Sequence, residues 1–132
     1  DLPMSLFFLD FDHNSPNAEH LKAHHESFFL NIREKNPDLP VIMATKTDIP
    51  RSPAAEKSNA AHRAVVYETY ENAVKRGDRN VIFIDGATVF SKALTLSAPA
   101  DSCTVDGCHP NDLGFACMAK VFGDAIEKML GL

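Results

Sequence analysis

Long apolar runs, basic blocks and paired cysteines are all missing from this 132-residue chain. No stretch approaches the roughly 20 consecutive apolar residues that a membrane-spanning helix needs, so no membrane partner is expected. Thirteen basic residues stand against eighteen acidic ones, for a formal charge of -5. The basic residues are scattered, which argues against a nucleic-acid partner. The first residues, Asp1-Leu2-Pro3-Met4, lack the basic end and apolar core of a secretory leader. Position 1 is not a methionine, so the chain is not expected to start where its gene does. Three cysteines, an odd number without metal-type spacing, fit a reducing, cytoplasmic compartment and leave a secreted parent protein open. Internal repeats and low-complexity tracts are absent, and neither a cofactor nor a resident metal is expected.

What is present reads as one folded domain over residues 1–132. The hydrophobic content is 45%, which excludes a disordered chain, and this length buries roughly two thirds of its unfolded surface. Ser5 to Asp12 has a continuous apolar centre and predicts a strand buried on both faces. Asn17 is placed to cap a helix from Ala18 to about Lys35, with Leu21, His25, Phe28, Phe29 and Ile32 at helical spacing. Asn36-Pro37-Asp38 ends it. Val41 to Ala44, extended as far as Thr47, predicts a second strand. A long helix is expected from about Ala54 to Arg76, opened by Ser52 or Asp48 and closed by Gly77. Ala61, Ala64, Val65 and Glu68 mark its face. Val81 to Asp85 predicts a third strand. Gly86 to Pro110 reads as loop with one helical turn at Val89-Phe90. The last helix is expected from Asn111 or Asp112 to Leu130, with Ala119, Phe122, Ile126 and Met129 inward.

Strands alternating with helices imply an α/β fold with a parallel sheet and right-handed crossovers. With the strands side by side in chain order, both crossover helices fall on one face and the last helix covers the other. One helical layer cannot satisfy Leu6, Phe7, Phe8 and Leu9 together. Missing upstream strands are expected, or a homodimer formed through the first-strand edge or the last helix.

Chemistry concentrates at the carboxyl ends of the strands. Asp10-Phe11-Asp12-His13-Asn14, Thr45-Lys46-Thr47-Asp48 and Asp85-Gly86 arrive there, and the loop before the last helix joins them. Asp106 precedes His109 by three residues, the spacing of a pair in which the carboxylate holds the imidazole as a base. Asn14 is a candidate donor to a developing oxyanion. Pro110 at the first helical position would leave His109 as the N-cap, where the helix dipole disfavours its charged form. The plainer alternatives stand beside these. His109 caps a helix, Asp106 turns a loop with Gly107, and Asn14 serves a turn. His20, His24 and His25 lack an H-E-x-x-H pattern and a third ligand, and read as a solvated helix face. Cys108 adjoins His109, but neighbouring residues point apart. Cys103 sits at no strained turn. None of Ser5, Ser15, Ser27, Ser52, Ser58, Ser91, Ser97 and Ser102 has the strand-turn-helix context of a nucleophile, and Ser15 and Ser102 are the two worth testing.

Asp106-Gly107-Cys108-His109-Pro110-Asn111-Asp112-Leu113-Gly114 resembles the final block of the SGNH, or GDSL-like, hydrolases. Asp12-His13-Asn14 after a buried strand is similar to the Asn-bearing third block of that family, in a branch whose strand ends in Asp-His-Asn, and Phe83-Ile84-Asp85-Gly86 fits the same branch. The resemblance implies a three-layer, flavodoxin-like fold, here truncated to about three parallel strands and three main helices. It implies carboxylic-ester hydrolysis of a small ester, with His109 as base, Asp106 as its acid partner and Asn14 as one oxyanion donor. The family's nucleophilic Ser-bearing first block and Gly-bearing second block have no counterpart here, so the isolated chain is expected to be inactive. Two other readings compete. One is a non-enzymatic, self-associating α/β module. The other is a metal-dependent hydrolase using His109, Asp106 and a nearby carboxylate.

Overall fold

The computed structural model describes residues 3–94 and 99–132. Ser97 therefore lies outside the described residues. Three parallel strands, β1 (Phe7–Leu9), β2 (Val41–Ala44) and β3 (Val81–Ile84), lie side by side in chain order. Phe7 pairs with Val41, which pairs with Val81. The connections are α1 (Ala18–Lys35) and α2 (Pro53–Lys75), and the chain ends through a short α3 (Val89–Ala93) and α4 (Asp112–Leu130).

Side-chain alternation along the strands divides the core into two layers. Leu9, Val41, Met43 and Val81 face α1 and α2, where they meet Leu21, Phe29, Val65 and Val66. Ile42, Ala44 and Ile84 face the other way and meet Val89, Phe90, Cys103 and Cys117. Both crossover helices thus share one face, as the chain order requires. β1 uses both layers: Phe7 packs with the first, and Phe8 meets Phe122 of α4 edge-on at 5.0 Å. Emptying the fully buried Phe29 site to alanine should cost about 3 to 5 kcal/mol.

The helix starts follow local chemistry. Asn17 accepts from the His20 N–H at 2.8 Å, and Ser52 accepts from the Ala55 N–H with Pro53 in the first turn. Gly77, at φ 89°, follows the last residues of α2.

Four expectations need correction. The first strand is only three residues long, because Asp12–Asn14 folds into a 3₁₀ turn. Phe28 is 43% exposed, on the flank of α1. The inward face of α2 runs through Asn59, His62, Val65, Val66, Thr69 and Ala73, while Ala61, Ala64 and Glu68 face out. In α4, Ala119 is exposed, and Gly114 and Cys117 are the fully buried residues.

Candidate active site

Two loops meet at the carboxyl end of the sheet. The first is the 3₁₀ turn after β1. Its Asp12 is 2% exposed, and both carboxylate oxygens accept from the Lys46 N–H, at 3.1 and 3.2 Å. Burial pushes the Asp12 carboxyl above its usual range, opposed by the backbone N–H groups of Lys46 and His13. His62 of α2 reaches the Ser15 carbonyl through Nε2 at 3.3 Å. The turn carrying His13 and Asn14 is therefore tied both to the loop after β2 and to α2.

The second loop spans residues 104–110 and is closed on itself. Thr104 bridges Pro110, the Val105 N–H donates to the His109 carbonyl at 3.0 Å, and the Gly107 N–H donates to Thr104 Oγ1 at 3.0 Å. Gly107 adopts φ 93°, where only glycine is unstrained, and its carbonyl accepts from the Ile49 N–H. Asp106 sits at the tip. Its Oδ1 accepts from the N–H groups of Cys108 and His109, both at 2.8 Å, and its Oδ2 lies 2.6 Å from His109 Nδ1. These contacts hold the Asp106 carboxyl well below the usual range, the His109 backbone N–H foremost, then the His109 ring and the Cys108 N–H. A charged Asp106 facing Nδ1 favours the tautomer with its proton there and leaves Nε2 as the proton-accepting atom.

His109 is not the N-cap expected from Pro110. The cap of α4 is Asn111, whose side chain accepts from the Gly114 N–H at 3.1 Å, while Pro110 is engaged in the bridge to Thr104. The ring of His109 is held by Asp106 instead.

Between the two loops lies a cleft of about 260 Å³. Asn14 and His109 both line it, together with His13, Cys108, Lys46 and Met118. The cleft thus unites residues 95 apart in the chain. His109 bonds no serine or cysteine side chain among the described residues. Ser15 Oγ lies 3.0 Å from His20 Nδ1, and neither Ser15 nor Ser102 makes a side-chain hydrogen bond to His109. His20 and His24 are exposed and stacked, whereas His25 is buried against Thr69, so the three do not share a face. Among the described residues, no group of three His, Cys, Asp or Glu side chains is arranged to hold a metal ion, and no helix is long and apolar enough to cross a membrane.

The profile of the GDSL-like lipase/acylhydrolase family matches residues 1–127. The chain belongs to this family. Among solved structures it is similar to a GDSL-like lipase of Bacteroides ovatus, with 27% identity and a TM-score of 0.78 over 99% of the chain. It also shares the fold of the salicylyl-acyltransferase SsfX3 of a tetracycline biosynthetic pathway, with 23% identity and a TM-score of 0.69 over 100% of the chain. The chain spans 37% and 39% of those two proteins. No curated protein sequence matches it.

Sequence reasoning overlooked one contact in this GDSL-like cleft. Cys108 Sγ lies 3.5 Å from His13 Nε2, across the cleft from the loop that carries it. His13 was visible only as the middle of Asp-His-Asn. No local pattern announces a contact that depends on how two distant loops dock.

Proposed function

We infer that residues 1–132 form one partial domain carrying the acid–base half of a site for carboxylic-ester hydrolysis of a small ester. His109 is the general base and later the general acid, Asp106 orients and charges it, and Asn14 donates to the oxyanion. The observation that carries this is the 2.6 Å contact between Asp106 Oδ2 and His109 Nδ1, at the edge of a cleft that Asn14 also lines. The chemistry follows from proton inventory. Nε2 takes a hydroxyl proton as the oxygen attacks the ester carbonyl, and Asp106 stabilises the resulting imidazolium. An amide N–H near the carbonyl oxygen then steadies the negative charge. Among the described residues no serine or cysteine side chain bonds His109, and the hydroxyl is assigned to a segment outside them.

Assays of short-chain nitrophenyl ester turnover test this. The isolated chain is expected to show no turnover that depends on His109. The gene product carrying these residues within a complete site is expected to hydrolyse the ester, and His109→Ala there to lower kcat on the order of a thousandfold. Steady turnover by the isolated chain that His109→Ala abolishes would show that a nucleophile is present after all. Turnover by the larger protein that ignores His109→Ala would remove the base from the mechanism.

The second reading, self-association, rests on β1. Among the described residues it pairs with β2 alone, and its free edge opens into an apolar groove of about 650 Å³ walled by Phe28 of α1. A homodimer through this edge would cover it.

A further inference from the structure

We propose that Cys108 and His13 form a second acyl-accepting dyad in the cleft, in which the Cys108 thiol captures the acyl group of an activated ester or thioester. The proposal shares with the hydrolase reading only the premise that the cleft admits an acyl group. It assigns nothing to His109. Cys108 Sγ stands 3.5 Å from His13 Nε2, a separation at which an imidazole can take a thiol proton. Both side chains line the cleft, as does Asn14. His13 is exposed and Cys108 half-buried, so a small ester can reach the sulfur. The other two thiols contrast with this. Cys103 and Cys117 are buried in the core with sulfurs 3.9 Å apart, and burial pushes the Cys103 thiol up to about 11. At neutral pH Cys103 is an apolar filler and Cys108 is the accessible nucleophile.

The step balances without any further reagent. His13 Nε2 takes the thiol proton. Sγ then attacks the carbonyl carbon, and a C–S bond forms as the C–O bond to the leaving group (C–S for a thioester) breaks. The departing oxyanion or thiolate takes the proton back from His13. The product is an acyl-thioester on Cys108, and the chain captures the group without needing the serine that the family's hydrolysis uses.

The test is to treat the isolated chain with p-nitrophenyl acetate at neutral pH, following nitrophenolate release and mapping acetylated peptides by mass spectrometry. The expected result is a burst no larger than the protein concentration, with acetyl found on Cys108. Cys108→Ser should abolish the burst, and His13→Ala should slow it about tenfold to a hundredfold. His24→Ala, an exposed histidine outside the cleft, should leave its rate within about twofold. Protection of Cys103 and Cys117 from alkylation in each variant verifies the fold. Acetyl spread over lysines, or a Cys108 rate equal in wild type, His13→Ala and urea-unfolded chain, would overturn the dyad. So would His24→Ala slowing the burst as much as His13→Ala does. None of these outcomes bears on His109-dependent turnover in the larger protein, so the two readings fail separately.

Discussion

A single carboxylate organises the tip of the loop at residues 104–110. Asp106 is exposed, yet three hydrogen bonds converge on it, and they keep its charge at acidities where an ordinary aspartate would lose it. A depressed folded-state pKa means the arrangement is fully present above the unfolded value of about 3.9 and is lost only as pH falls through the lower folded value. The Cys108 and His109 amide resonances are therefore expected to show no carboxylate transition centred near pH 4. In Asp106→Ala both should shift and exchange rapidly with solvent. A transition of these amides centred near pH 4 in the wild type would show that the three contacts do not persist in solution. Two glycines make a sharper contrast. The Gly86 N–H donates to Thr45 Oγ1 at 2.9 Å, and a Cβ there would overlap the Thr45 and Lys46 carbonyls. Gly86→Ala should cost about 2 to 3 kcal/mol in urea unfolding. Gly123, within α4, has open space where a Cβ would go. Gly123→Ala should raise stability by about 0.5 to 1 kcal/mol. Equal effects at the two positions would contradict the packing described.

At the scale of elements, the α1–α2 contact contains a titratable group that the chemistry does not use. His25 is 1% exposed and its Nδ1 lies 2.9 Å from Thr69 Oγ1. The Thr69 hydroxyl donates to the Val65 carbonyl, so it accepts from His25 Nδ1, and Nε2 is left with a buried lone pair and no partner among the described residues. Burial pulls the His25 pKa down to about 4, with Glu26 opposing. The unfolded chain then binds more protons between about pH 6.5 and pH 4, so stability falls as pH drops through that window. The loss between pH 7 and pH 4 should be about 2 to 3 kcal/mol. His25→Phe should remove that part of the pH dependence, read as the change in urea midpoint at the two pH values. An unchanged dependence would mean the ring is protonated in the fold or reaches water. The same helices show where sequence was legible. Alternation, caps and Pro or Gly stops are local, so Asn17, Ser52, Gly77 and the centres of all three strands were readable. The inward face of α2 was not. Asn59, His62 and Thr69 are polar, and their burial makes sense only with Asp48, Ser15 and His25 of other elements satisfying them. The Asp106–His109 pair was readable because its spacing is local. The Cys108–His13 contact was not, since nothing in either segment encodes how the two loops dock.

For the molecule as a whole, the decisive feature is the imbalance between a core closed on both faces and a sheet with an open edge. Along Phe7–Leu9 the outer backbone groups of β1 meet no strand among the described residues and lie beside an apolar groove, with Phe28 43% exposed at its wall. An exposed strand edge flanked by apolar surface tends to pair. A two-fold axis beside β1 would set the strand antiparallel to its own copy and bring the two grooves together, closing both edges with one self-complementary contact. The faces of the sheet need no such partner, since α1 and α2 cover one and α3 and α4 the other. The isolated chain is therefore expected to sediment as a dimer at tens of micromolar. Phe28→Asp should return it to a monomer with an unchanged far-UV spectrum, because that side chain contributes to the groove and little to the core. Leu113→Asp at the start of α4 should leave the dimer intact. Should wild type sediment as a monomer at that concentration, the edge is satisfied in some other way. Should Leu113→Asp disrupt the dimer and Phe28→Asp spare it, α4 rather than β1 forms the contact.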